Sequence, residues 1–535
     1  MNIIVGNAWP YANGPLHLGR ISVLLPGDVI ARYHRLMGDN VIFLSGTDCH
    51  GTPVTIRAKE EGITPLEATE KYHEEFKKCF KGLGFSFDIF SKTHSRYHED
   101  KVKNFILELY NKGYIYEKEI EEIYCKNCNE FLSDRYIIGK CPKCKEEISD
   151  DYCENCSEIT ESNEIVDKRC KICGNNPILK KTKHLFFKLS EFEKDVKRLL
   201  IRQRNWRENA EKIVKRYLDE GLRDKAVTRN FNWGVDIPLE GYEDKKIYVW
   251  IEAVMGYLTA SMKVLEAKNE DWRDFWEGED SRVYFVHGKD NIPFHAVIFP
   301  AILAGLGIKN PNLREVSSEY MKLEGKSFSS VKNWALWASY VIDNYNVDTF
   351  RYYLLLNSPE NRDTEFTWRD FVNVVNRDLV NNLNGFIEEV FKITKEKYNN
   401  QIPKGEVSKE FIGKILNLYF DLGDYIEEGK FKSGISLINS FIRNSKKNFE
   451  IEGKKQNLNN KIYESIQVIA NLSNIIEPFI PNTSENIKKM LNIEESVWSF
   501  IEKKEGQIGE FDSLFEKIDK KVANEEVKRM KEEKF

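Results

Sequence analysis

Ile3-Ile4-Val5-Gly6-Asn7-Ala8-Trp9-Pro10-Tyr11-Ala12-Asn13-Gly14-Pro15-Leu16-His17-Leu18-Gly19-Arg20 decides the fold. It begins with a short apolar strand, Ile3–Val5. A loop rich in Gly, Pro and Asn follows, from Gly6 to Gly14, and then a helical pattern that runs to about Met37. A second apolar run, Val41-Ile42-Phe43-Leu44, ends in Ser45-Gly46-Thr47-Asp48. Strand, helix and strand in this order make a βαβ unit, and such units build parallel sheets. The helix N-terminus after the loop presents free backbone N–H groups and a partial positive charge, so it attracts phosphate. Gly19 permits close backbone approach there, and His17 and Arg20 add donors.

Outward from this opening, helical patterns run from about Pro65 to Gly113, and strand-like runs return at Ile247–Ile251 and Val283–His287. A helical stretch follows through Ala301. Gly325 to Ser330 form a Gly/Ser-rich loop, beyond which Trp337 to Asn492 are almost wholly helical. Helix breaks are expected at Pro403, Gly405, Gly453 and the Pro478/Pro481 pair. The final residues, about 515–535, are rich in Lys and Glu and read as a solvated or terminal helix.

The chain has 535 residues, enough for three to five units at roughly 100–200 residues per domain. Hydrophobic residues make up 41% and charged residues 31%, which argues against disorder, collagen or a coiled-coil rod. No run of 18 apolar residues exists, so no membrane span is expected. The N-terminus does not read as a signal peptide. With 80 basic and 85 acidic residues the net charge is −5, so a nucleic-acid partner would have to meet a local basic face.

Eight of the ten cysteines form four C-x-x-C pairs: Cys125/Cys128, Cys141/Cys144, Cys153/Cys156 and Cys170/Cys173. Two thiolates at this spacing sit on one turn and reach one ion, and tetrahedral zinc takes two such turns. The set therefore suits up to two structural Cys₄ zinc sites, with sequential and nested pairings both open. Without an export signal, disulfides are disfavoured. Cys79 reads as a packing residue and Cys49 as a buried bystander at the edge of a functional segment.

The opening loop resembles the "HIGH" region of class I aminoacyl-tRNA synthetases, and most closely the PYANG-type loop of methionyl-tRNA synthetases. Ser45-Gly46-Thr47-Asp48-Cys49-His50-Gly51-Thr52-Pro53 is similar to the family's second-strand motif. The cysteine segment resembles its zinc-knuckle connective peptide. Tyr248-Val249-Trp250-Ile251-Glu252-Ala253 resembles its YVW motif, and Gly288-Lys289-Asp290-Asn291-Ile292-Pro293-Phe294-His295 its GKD…FH motif. The helical tail, with Glu477-Pro478-Phe479-Ile480-Pro481, is similar too.

The resemblance implies an α/β architecture: a Rossmann-type parallel-sheet catalytic domain split by a zinc-knuckle insertion, followed by an α-helical bundle anticodon-binding-type domain. The expected divisions are 1–120 and 182–336 for the two catalytic halves, 121–181 for the insertion, 337–500 for the helical domain and 501–535 for a tail. It implies ATP-dependent adenylation of methionine and transfer to the 3′ end of tRNA-Met, with Mg²⁺ accompanying ATP. His17, Gly19, Arg20, Gly288, Asp290, Ser327 and Ser330 are the implied ATP contacts. His17 and Arg20, together with the loop lysines Lys326 and Lys332, are the implied catalytic groups. Asp48 is implied to take the substrate ammonium, and Ala8, Trp9, Tyr11, Trp250, Ala253, Val254, Tyr257, Phe294 and His295 to wall the side-chain pocket. The zinc pairing it implies is nested: Cys141, Cys144, Cys153 and Cys156 around one ion, and the outer pairs around the other. A cytoplasmic location is implied. The chain ends without the C-terminal dimerisation domain of some members, so a monomer is expected.

Two regions depart from the family pattern. In the mobile KMSKS loop, whose counterpart is Leu323–Trp334, the two motif lysines align with Ser327 and Ser330, and Lys326 and Lys332 flank them. In the helical domain Gly385 and Glu389 align with the anticodon-reading Asn and Arg, and Glu450–Lys455 lacks the expected Trp. These departures raise an alternative: a paralogue without tRNA-Met recognition, activating an amino acid for another acceptor or merely binding it.

Overall fold

The computed structural model describes residues 1–132, 136–148, 164–202, 205–309, 311–330, 333–452 and 458–532. Seven strands matter for the site: β1 (Asn2–Asn7), β2 (Asn40–Thr47), β3 (Ile89–Lys92), β4 (Ile115–Cys125), β5 (Ile178–Phe187), β6 (Ser281–Gly288) and β7 (Leu313–Ser318). Five of them form one parallel sheet in the order β7-β6-β1-β2-β3. The chain crosses from β1 to β2 through helix α1 (Leu18–Leu36).

Side chains alternate across this sheet with period two. Ile3, Val5, Val41, Phe43, Tyr284 and Val286 face a core shared with α1 and the C-terminal helices. Ile4, Ile42, Leu44, Val283 and Phe285 face a second core on the other side. Both faces are covered, as a parallel sheet requires.

The expected strand at Ile247–Ile251 is corrected. Only Lys246–Ile247 is extended, and Val249–Val254 is a helix. A short apolar run reads equally as a buried strand or a buried helix turn. Here the turn buries Glu252 against His50, at 2.8 Å, which an extended chain would not specify. The helical stretch before Ala301 begins with a wide turn at Phe294–Ile298 and continues as Phe299–Gly305.

β4 and β5 pair antiparallel over ten residues, from Ile115↔Phe187 to Tyr124↔Ile178, and carry the cysteine segment at their far end. From Ala338 onward the described chain is helical apart from connectors and the short strand Thr364–Phe366. The expected break at Gly453 lies outside the described residues. The Pro478/Pro481 break falls between Leu458–Ile476 and Pro481–Leu491. The last described helix, Lys521–Lys531, is docked rather than fully solvated: Met530 is buried, and Glu526 accepts from the hydroxyls of Tyr340 and Tyr345 at 2.7 Å. This helical region is tied to α1 through Asp28 and Arg351, both fully buried and 2.7 Å apart. Among the described residues no helix is long and apolar enough to cross a membrane.

Candidate active site

A cavity of 540 Å³ opens at the C-terminal ends of β1, β2 and β6. This is the crevice in which open parallel sheets place their ligands, and the volume suits a small-molecule site. Every expected amino-acid contact lines it: Ala8, Trp9, Tyr11, Asp48, Trp250, Ala253, Val254, Tyr257, Phe294 and His295. So do His17, Gly19, Arg20, Gly288, Asp290 and Ser327.

Asp48 sits where the loop after β1 docks on the end of β2. Its backbone N–H donates to the Pro10 carbonyl at 2.9 Å, and its carbonyl accepts from Ala12 at 2.9 Å. Burial raises its carboxyl well above the usual carboxylate range, and the nearby Glu252 carboxylate raises it further. Such a group is poised for a cationic partner. Burial would also push Glu252 up, but His50 and His98 reverse this and hold it at about 2.

The apolar wall depends on glycine behind it. A Cβ on Gly46 would come within 2.6 Å of the Trp9 ring, and one on Gly256 within 2.9 Å. A Cβ on Gly6 would come within 2.6 Å of Tyr257. Three residues without side chains thus let two large rings sit back from the cavity. The Tyr257 hydroxyl donates to His295 Nε2 at 2.7 Å, and His295 Nδ1–H donates to the Asn291 carbonyl at 2.9 Å. Burial, with His287 alongside, holds His295 down at about 3, so the ring is neutral and its tautomer is set by these two bonds. At the mouth, Trp250 is 40% exposed, packs edge-on to Phe294 at 4.5 Å, and donates its indole N–H to the Tyr11 hydroxyl.

At the N-terminus of α1, His17 takes the cap position without a side-chain cap bond. Its Nδ1 and the Nη1 of Arg20 are buried atoms with no partner in the structure. Burial and the neighbouring Arg20 hold the imidazole at about 3, so His17 is a neutral donor. The Phe328 ring stacks on His17 at 4.9 Å and 12°. Gly19 is obligatory in this packing, since a Cβ would meet Phe328 at 2.7 Å and His17 Nδ1 at 3.0 Å.

Asp290 accepts from the Tyr320 hydroxyl, whereas Lys289 turns away to Glu319 at 2.6 Å. Lys326 is exposed, with its ammonium 4.6 Å from the Trp334 ring centroid, and neither it nor Ser330 lines the cavity. Lys332 lies outside the described residues. Cys49 also stays off the cavity, its thiol donating to the Thr47 carbonyl at 3.2 Å. Sequence reading missed Phe328, Tyr320, Met321, Asn291 and Val23 as lining residues. Phe328 was within reach, as the one aromatic in the Gly325–Ser330 loop.

A second cluster lies at the end of the β4–β5 hairpin. The sulfurs of Cys125, Cys128, Cys170 and Cys173 lie within 4.8 Å of one another, with Cys125–Cys173 at 3.4 Å and Cys128–Cys170 at 3.8 Å. Zinc–sulfur bonds of 2.3 Å in a tetrahedron give edges of about 3.8 Å, so these residues fit such an ion. The outer pairs are those the nested arrangement joins. Cys141 is buried and Cys144 half-buried, while Cys153 and Cys156 lie outside the described residues.

A helix N-terminus and a buried carboxylate facing each other across the ends of adjacent parallel strands is the layout of the class I aminoacyl-tRNA synthetases. The sequence pattern of the family described as tRNA synthetases class I (M) matches residues 3–391. The chain belongs to this family. It is 46% identical over 539 residues to methionine–tRNA ligase 1 of Alkaliphilus oremlandii (strain OhILAs), covering 99% of this chain and 100% of that protein. It is 43% identical over 540 residues to a methionine–tRNA ligase of Bacillus anthracis (strain CDC 684 / NRRL 3495), covering 99% of each. The fold matches the crystal structure of Mycobacterium tuberculosis methionyl-tRNA synthetase bound by methionyl-adenylate, with a TM-score of 0.76 at 21% identity, covering 94% of this chain and 96% of that one. None of these matches favours the paralogue alternative.

Proposed function

We infer that this chain is a methionine–tRNA ligase: it adenylates methionine with ATP and transfers the methionyl group to the 3′ end of tRNA-Met. The observation that carries the reading is the meeting, in one cavity, of a buried carboxylate, an apolar aromatic wall and a glycine-bearing helix N-terminus.

In the first step a methionine carboxylate oxygen attacks the α-phosphorus of ATP, and the bond to pyrophosphate breaks. Asp48 takes the α-ammonium and fixes which way the carboxylate points. Trp9, Ala253, Val254, Tyr257, Phe294 and His295 enclose the thioether, whose polarizable sulfur suits aromatic edges. Tyr11 and Trp250 close the mouth. His17, the Gly19 backbone and Arg20 take the phosphates, and Gly288 and Asp290 the ribose. Positioning and preorganised donors, rather than a covalent nucleophile, lower this barrier. Lys326, Ser327, Ser330 and Lys332 belong to the loop that meets the triphosphate, which binds with Mg²⁺. Cys125, Cys128, Cys170 and Cys173 would hold a structural zinc ion, which would tie the end of the hairpin and, with four thiolates leaving no open position, take no part in the chemistry.

ATP–pyrophosphate exchange with a panel of amino acids tests the first half-reaction, and charging of tRNA-Met tests the second. Exchange that depends on methionine, followed by charging, is expected. No exchange with any amino acid rules the ligase out. Exchange without charging would restore the paralogue alternative.

A further inference from the structure

Beside the cavity, but not lining it, two histidines and a glutamate converge. His50 Nε2 lies 3.2 Å from His94 Nδ1, and His94 Nδ1 lies 3.0 Å from Glu99 Oε1. The three donor atoms lie within 4.8 Å of one another. A hydrogen-bond chain through an imidazole enters at one ring nitrogen and leaves at the other. Here His50 and Glu99 both address the same nitrogen of His94, which offers a single in-plane position for either a proton or a lone pair. One proton cannot serve both contacts. Three donor atoms gathered this closely are instead what a shared cation organises.

From this we propose that His50, His94 and Glu99 form a metal site for a divalent transition ion of the zinc class, distinct from the cysteine cluster. Ligand bonds of 2.0–2.2 Å in a tetrahedron separate donors by roughly 3.3–3.6 Å. Two of the three separations here, 3.2 and 3.0 Å, are near this, and the third is within 4.8 Å, so a bound ion would draw His50 and Glu99 together. Two imidazoles and one carboxylate are the ligand types that such ions accept. The outer shell is in place as well. The other nitrogen of His50, Nδ1, meets the fully buried Glu252 carboxylate at 2.8 Å, the carboxylate–histidine pairing that orients a metal-bound ring. The Trp233 ring packs against both imidazoles, at 5.5 Å and 4.8 Å, and its indole N–H is anchored on the Cys49 carbonyl at 2.6 Å. His94 and Glu99 flank the Ser95 cap of helix α2 (Arg96–Asn111) and keep 31% and 25% of their side chains exposed, so water can complete the coordination. Glu99 and Glu252 together supply two negative charges against the ion's two positive ones.

The consequence is positional. His50 stands two residues after Asp48, on the loop that ends β2. An ion at this site clamps that loop to the start of α2 and fixes the carboxylate that meets the substrate.

The full-length protein, dialysed into metal-free buffer, is titrated with Zn²⁺ and with Co²⁺, and bound metal is counted per chain. The wild type is expected to bind one ion more than His94→Ala and one more than Glu99→Gln. Cobalt at the cysteine cluster gives intense sulfur charge transfer in every protein that keeps those thiols, so the signature of this site is the difference: the Co²⁺ bound by wild type beyond His94→Ala is expected to add weak ligand-field bands and no sulfur charge transfer. Cys125→Ser is expected to lose a cysteine-bound ion and keep this one. Melting curves in chelator report whether each variant folds. If His94→Ala melts early, Glu99→Gln, which changes one atom, carries the test. Equal uptake by the wild type and the folded variants overturns the site.

Discussion

Arg351 reaches from the C-terminal helices into the side of α1 and places its Nη2 2.7 Å from Asp28 Oδ2, with both side chains fully buried. The same guanidinium donates to the carbonyls of Phe479, Leu83 and Pro478. Asp28 also receives Arg32 Nε at 2.8 Å and the Ser86 N–H and hydroxyl at 2.7 Å. One ion pair therefore joins α1, the segment before β3 and two C-terminal helices.

Removing Arg351 leaves Asp28 buried and only partly compensated. Arg351→Met is expected to cost about 3–5 kcal/mol, the usual penalty for breaking a buried pair from one side. Burial alone would raise Asp28, but Arg351 and Arg32 hold it at about 2. This lies below its unfolded value of about 3.9, so its stabilisation is present above that value and lost as pH falls from about 4 towards 2. Urea unfolding of both proteins at pH 7, pH 4 and pH 3 checks both statements. A variant within 1 kcal/mol of wild type would remove the pair from the account.

Asp48→Asn keeps the shape of the cavity floor and removes its charge. Methionine affinity is expected to fall a few hundredfold or more, as for other buried charge pairs that lose one partner at about 3–5 kcal/mol. The raised Asp48 carboxyl also sets a pH dependence. On the role proposed for Asp48, protonation would remove the ammonium contact, so kcat/KM for methionine is expected to drop on the acid side with a midpoint above the ordinary carboxylate range. Exchange kinetics from pH 5 to 8 measure it, and a flat profile in wild type would contradict the assignment.

Gly19→Ala drives a methyl into Phe328 and His17. Exchange activity is expected to fall at least tenfold. Phe328→Ala removes the nearest clash, so the double variant is expected to recover part of the loss. Additive losses in this cycle would mean that Gly19 matters for some other reason.

Behind the cavity His287 Nδ1–H donates to the Gly288 carbonyl at 3.0 Å, and its Nε2 meets Glu315 Oε2 at 2.6 Å. Burial lifts Glu315 to about 8 and drops His287 to about 4, so both are neutral and Glu315 donates the shared proton. A raised carboxyl stabilises fully below its unfolded value of about 4.3 and loses this as pH rises towards 8. Glu315→Gln still donates a hydrogen bond but cannot ionise. It is expected to gain on wild type in stability between pH 5 and pH 8, read by denaturant midpoints. A gap between the two that stays constant across this range would show Glu315 to be ionised in the fold.

Chelation of the ion proposed for Cys125, Cys128, Cys170 and Cys173 is expected to open the far end of the hairpin, beyond the Tyr124↔Ile178 pair, to limited proteolysis while the parallel-sheet core keeps its melting transition. Proteolysis with and without chelator, read by mass spectrometry, distinguishes this from global unfolding.

The opening of the fold was plain in the sequence because β1, α1 and β2 carry strong periodic patterns bounded by glycine and proline. β7 was not. Its sequence Leu-Arg-Glu-Val-Ser-Ser looks like surface, yet five of its six residues, all but Arg314, are buried, because Glu315 serves His287 and Ser318 accepts from Arg207 at 3.0 Å. β3 was hidden for the opposite reason: at the sheet edge Ile89–Lys92 is only half-buried and shows no alternation. Most of the cavity lining was legible where a family motif carried it, although Asn291, inside the motif Gly288–His295, was passed over. Phe328 and Tyr320 escaped because their neighbours across the cavity, His17 and Asp290, come from segments 311 and 30 residues away in the chain.

The glycines behind Trp9 and Tyr257 make the substrate chamber adjustable from the rear. A methyl group added at Gly256 or Gly6 meets only aromatic side chains, Trp9 at 2.9 Å and Tyr257 at 2.6 Å, and must push a ring towards the space the ligand would fill, whereas one at Gly46 would also strike the Ser91 carbonyl at 2.7 Å and strain the sheet. Selectivity among amino acids of different girth can therefore be retuned at positions that an inspection of ligand contacts would pass over. A library confined to Gly256 and Gly6 is a compact route to a narrower enzyme.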